Sequence, residues 1–209
     1  MLRQTVGERP HVSRRFDGVE ANARLTGSTA AVLLVMLAAE GLTIPFIRPL
    51  ITPHVVIGMA LVPPVLVKLG STGYRFVRYY TGALSYVRRG SPPALLRLLG
   101  PFVVVLTLAV LGSGIALLFA ALRWRADLLL LHKASFVLWF GAMTIHVLAH
   151  LGDTARLAPR DWYRRSRHDI AGTGIRQWLL VAGIAAGVLL GVLFSAKGVA
   201  FFAHGGASQ

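Results

Sequence analysis

The chain has 209 residues, of which 55% are hydrophobic and only 14% charged, with a mean hydropathy of +0.64. Soluble domains carry about 25% charged residues, so a bilayer is the natural solvent for this composition. The formal charge of +14 sits between long apolar runs rather than in a basic, aromatic-interleaved module, which speaks against nucleic acid as a partner. The lack of cysteine excludes disulfides, thiolate-held iron–sulfur clusters and covalently attached haem.

Five apolar segments reach the length of about 20 residues that crosses a hydrocarbon core of about 30 Å. In chain order they cover residues 28–47, 51–69, 98–122, 128–151 and 178–196. They predict an all-α polytopic transmembrane bundle, a four-helix core plus a fifth helix. Residues 1–27 form a charged tail too long for a typical signal-peptide n-region, and the first apolar segment is expected to stay as a helix. The transmembrane domain then runs over residues 28–196, with a short C-terminal tail over 197–209.

Lysine and arginine fix the orientation. Five lie in the N-terminal tail, six across residues 68–97 and six across residues 151–176, making seventeen on one side. The other side holds five: Arg48, Arg123, Arg125, Lys133 and Lys197. The positive-inside rule places the N-terminus in the cytoplasm and the C-terminus outside, as for a multi-pass protein of a bacterial inner membrane.

Between the second and third spans, Tyr74, Phe76, Tyr79, Tyr80 and Tyr86 alternate with Arg75, Arg78, Arg88 and Arg89. This reads as an interfacial segment, with rings at headgroup level and guanidinium groups on lipid phosphates; a docking surface for a cytoplasmic partner is the second reading. Gly90, Ser91, Pro92 and Pro93 then break the chain before the third span. Pro63 and Pro64 fall inside the second span, where they predict a bend.

The histidines carry the functional case. His11, His168 and His204 fall in tails or loops, whereas His54, His132, His146 and His150 fall in or at the ends of spans, where polar groups are costly and usually functional. With the orientation above, His54 and His132 share the outer depth on antiparallel helices. Two imidazoles so placed fit the two axial positions of a haem b iron inside a four-helix bundle. Gly58, one turn deeper than His54, would let the porphyrin approach.

His132 and His146 are 14 residues apart, within about 40° on one helical face and about 21 Å along the axis. Lys68 stands in the same relation to His54, so it is expected opposite His146 or His150 near the inner surface. No histidine remains on the first, third and fifth spans to complete a second bis-histidine pair. One haem is therefore expected, and a second would need Lys68 as a neutral ligand; the alternative use of His146, His150 and Lys68 is a quinone headgroup site. The i, i+4 pair His146 and His150 also suits a transition metal, although Glu40 is the one carboxylate clearly inside a span. Glu40 needs a partner, for which His54, His132 and Arg123 are candidates.

The motif H-V-V-I-G-M at 54–59, L-H-K at 131–133 and the 14-residue histidine spacing resemble the small bacterial b-type cytochromes that serve as membrane subunits of hydrogenases and formate dehydrogenases. The resemblance covers about residues 24–152. It implies His54 and His132 as haem ligands and electron transfer between a peripheral oxidoreductase subunit and quinone. The chain would then be at most an electron-transfer subunit of an enzyme. The run at 61–82 is also reminiscent of uncharacterised bacterial membrane proteins. Two other readings remain open on the residues alone: a small-solute or metal transporter using the paired prolines as a broken helix, and a non-catalytic anchor or assembly protein. Gly183, Gly187 and Gly191 form a small-residue stripe on the fifth span that predicts close helix packing, with a second copy of the chain as one candidate partner.

Overall fold

A computed structural model describes residues 11–88, 94–157 and 173–203. Long apolar stretches without charge have no soluble alternative to helix, because a backbone in hydrocarbon must satisfy its own hydrogen bonds. Six α-helices result among the described residues: α1 (His11–Thr43), α2 (Ile51–Tyr80), α3 (Leu84–Val87), α4 (Ala94–Phe119), α5 (Arg125–Leu157) and α6 (Thr173–Ala203). Single 3-10 turns at Ile44–Phe46 and Leu122–Trp124 lead into α2 and α5. All but α3 are long and apolar enough to cross a membrane. Their outward faces carry large apolar side chains such as Val35, Leu98, Leu130, Leu148 and Leu193, as a lipid-facing surface requires.

The helices outrun the apolar segments. α1 begins at His11 rather than at residue 28, so most of the expected N-terminal tail is helical, and Val19, Ala23 and Arg24 are buried. The buried Arg24 is held by Glu20 one turn earlier, Nε to Oε1 at 3.3 Å. α2 continues to Tyr80, giving 30 residues or about 45 Å of helix, well beyond the hydrocarbon thickness. It runs through Pro63 and Pro64 as one α-helix.

The extension of α2 ends in a Schellman turn. Ala83 N–H donates to Arg78 O at 3.0 Å and Gly82 N–H to Tyr79 O at 3.1 Å, with Gly82 at φ 76°, a backbone conformation open to glycine. The short helix α3 then folds back so that Tyr86 is buried with its ring 6.1 Å from that of Tyr74. Gly90, Ser91, Pro92 and Pro93, with their expected helix break, lie outside the described residues, as do His168 and His204.

Within the bundle α1 lies against α2 and α5, α4 pairs with α5, and α6 packs along α2. Apolar cores fill these seams: Leu33, Leu61 and Val65 between α1 and α2, and Val103, Leu106, Trp139 and Ala142 between α4 and α5. A hydrogen bond crosses the second seam, Trp139 Nε1 donating to Thr107 Oγ1 at 2.9 Å.

The glycine stripe of α6 meets α2 of the same chain. A Cβ added at Gly187 would stand 2.7 Å from Ala60 Cα, one at Gly191 2.6 Å from Val56 Cα, and one at Gly183 3.1 Å from Pro63 Cβ. Only glycine permits this backbone approach. The stripe is thus filled within the protomer, which corrects the expectation that Gly183, Gly187 and Gly191 dock a second copy.

Candidate functional site

Four helices bring polar groups to one end of the bundle. His54 lies in the first turn of α2, Glu40 and Thr43 in the last turn of α1, His132 in the third turn of α5, and Val110, Ser113 and Gly114 on α4. The rings of His54 and His132 face each other with centroids 6.4 Å apart and planes at 88°. The shared depth expected from their positions is therefore realised.

Hydrogen bonds fix the tautomer of both rings. Thr43 Oγ1 lies 2.6 Å from Glu40 O, to which its only proton goes, and 2.8 Å from His54 Nδ1, toward which it can offer only a lone pair. Glu40 Oε1, an acceptor, lies 3.0 Å from the same nitrogen. Nδ1 of His54 must therefore carry the proton and donate to both.

At His132, Nδ1 stands 3.0 Å from Val110 O, which only accepts, and 3.1 Å from Ser113 Oγ, whose proton goes to Ala109 O at 2.6 Å. This Nδ1 is also a donor. Each ring is left with an Nε2 lone pair that meets no hydrogen-bond donor among the described residues.

Glycine makes the second contact sterically feasible. Val110 O accepts within α4 from the residue four positions on, and that residue is Gly114. A Cβ there would stand 3.1 Å from His132 Cε1, so the missing side chain is what admits the ring to the carbonyl. Gly58 lies beside Glu40, with Oε1 3.4 Å from the position of an added Cβ, an ordinary contact distance.

Two imidazoles with free Nε2 lone pairs are a ligand set for a metal that brings its remaining ligands with it. No group of three or more His, Cys, Asp or Glu that could hold a bare ion occurs among the described residues. A haem iron needs only two axial nitrogens. Two imidazoles gripping one iron through bonds of about 2 Å each would hold their ring centres a little over 6 Å apart, close to the separation found. Nδ1–H donation to a carboxylate or carbonyl is the usual support of such a ligand. The residues present fit the group. Searches of protein families, curated proteins and solved structures return no match to this chain.

The other end of the bundle gathers His146, His150 and Lys68. The two rings lie 4.8 Å apart on α5, and Lys68 is within electrostatic reach of His146, as the spacing anticipates. Lys68 is committed elsewhere, however: its Nζ donates to Thr26 O at 3.0 Å, bridging α2 to α1. Ser71 Oγ and Thr26 Oγ1, 3.0 Å apart, and Asn22 Nδ2, donating to Ser71 O at 3.2 Å, extend that bridge. His146 Nδ1 and Ser28 Oγ are buried without a hydrogen-bond partner.

Thr43, Val110 and Ser113 were not legible as site residues. A small residue on an apolar helix carries no mark of a site, and a backbone carbonyl leaves no trace in residue identity. The usable signal was depth: Ser113 and Gly114 lie six and five residues before the end of α4, and His132 seven residues after the start of α5.

Proposed function

We propose that the chain binds one haem b between His54 and His132 and passes electrons across part of the bilayer as the membrane subunit of an oxidoreductase. The observation that carries this reading is the pair of facing imidazoles, each with Nδ1–H committed to an acceptor and Nε2 left with a lone pair. When bound, a haem supplies a one-electron couple. The chain supplies the two axial nitrogens, the acceptors that hold each ring in its tautomer, and apolar helix faces that exclude water. By the arginine and lysine distribution this pair lies toward the outer side of a bacterial inner membrane, with the N-terminus in the cytoplasm.

A specific observation favours a second element at the opposite end. The buried, unpartnered Nδ1 of His146 and Oγ of Ser28 are groups that a polar headgroup would satisfy, and a quinone carbonyl is an acceptor of the right kind. Electrons would then pass between a peripheral redox partner and the membrane quinone pool.

The decisive test is a reduced-minus-oxidised absorption spectrum of protein purified from haem-supplied cells. A b-type signal that disappears in both His54→Ala and His132→Ala supports the reading. A colourless wild-type protein under the same conditions removes it.

A further inference from the structure

The two imidazoles are alike in tautomer and unlike in partner. His132 gives its Nδ1 proton to a peptide carbonyl and a hydroxyl, both neutral. His54 gives its proton to the Thr43 hydroxyl and to the Glu40 side chain, both in the last turn of α1. Glu40 and His54 are well shielded, with 15% and 21% of their side-chain surface exposed. The far oxygen of Glu40, Oε2, is buried with no partner at all. The near oxygen, Oε1, lies 3.0 Å from His54 Nδ1, the one side-chain contact among the described residues that ties Glu40 to the pair.

The position is built for this contact. Thr43 Oγ1 closes on the Glu40 backbone carbonyl and fixes the last turn of α1. Gly58 flanks the carboxyl group on α2. An acceptor bearing charge draws the Nδ1 proton and makes the opposite nitrogen a stronger donor to metal, which a neutral carbonyl does more weakly.

We propose that Glu40, through its contact with the His54 Nδ1–H, would set the redox potential of a haem held by His54 and His132, by making the two histidines inequivalent ligands and so favouring the oxidised form. The proposal rests on the haem reading above. Glu40 is a positioning residue: it touches His54 and acts through it.

The test is a potentiometric titration of the purified haem-loaded protein and of three variants. Glu40→Gln keeps an acceptor oxygen and removes the carboxyl group; the midpoint potential of the haem-loaded fraction is expected to rise. Glu40→Asp retains the charge but shortens its reach, and is expected to shift the potential in the same direction by less. Ser113→Ala, which leaves Val110 O in place at His132, is expected to shift it least. The ferric low-spin electron paramagnetic resonance signal, which follows axial-ligand basicity, is expected to move in Glu40→Gln and stay put in Ser113→Ala.

A potential and a resonance signal unmoved in Glu40→Gln would overturn the assignment while leaving the haem in place. Should Glu40→Gln fail to accumulate, an unshifted potential in Glu40→Asp would overturn it equally. A wild-type protein without haem would remove both readings together, so the two failures are distinguishable.

Discussion

The two ends of the bundle draw on the same two helices at the same spacing, and only one of them is built as a histidine pair. His54 and Lys68 are 14 residues apart on α2, as are His132 and His146 on α5. At the His54 end the helices bring two rings edge to face, 6.4 Å between centres, with Nδ1 of each ring held by an acceptor from a third and a fourth helix. At the Lys68 end the lysine bonds to the Thr26 carbonyl, and His146 keeps a buried nitrogen without a partner. The lesson is that a periodic spacing places groups at a common depth, whereas the acceptors around them decide which nitrogen is left to do chemistry.

Breaking the better-built end has the largest expected effect. His54→Ala or His132→Ala would remove one of two imidazoles from a site with no group of three metal-ligating side chains among the described residues, so the haem signal is expected to fall to background in each, read by absorption. His146→Ala sharpens the comparison from the other side: haem content is expected to stay at the wild-type level while quinone-dependent reoxidation of the haem slows several-fold. Equal loss of haem in His146→Ala would mean that the two ends are not distinct in kind.

Next in size is a steric break beneath both ends. Gly191→Leu forces a side chain into Val56, and overpacking of this sort costs about 1–3 kcal/mol or more. Lower thermal stability in detergent, with α6 detached from α2, is the expected result. The smallest effect is expected from Trp139→Phe, which deletes the hydrogen bond to Thr107 at a cost of about 0.6–1 kcal/mol, seen as a drop of a few degrees in Tm with haem content unchanged.

Hydropathy made the bundle legible, because about 20 apolar residues in a row have one stable conformation in lipid. It missed how far the helices continue. His11 to Gly27 and Ser71 to Tyr80 carry arginine and aromatic residues, a composition that hydropathy does not read as part of a span. The glycines of α6 showed a face made for close contact, but a face does not name its neighbour, and that neighbour is α2 of the same chain.

At the site, the two histidines were legible, as was His54 as one of three candidate partners for Glu40. Val110 was hidden, because its part is played by a backbone oxygen.

The central claim is that His54 and His132 act on one iron together. Haem content per chain, measured by pyridine haemochrome on the wild type and on the His54→Ala and His132→Ala variants, tests it most directly. The account predicts about one haem per wild-type chain and none in either variant; haem retained after loss of either imidazole would contradict it.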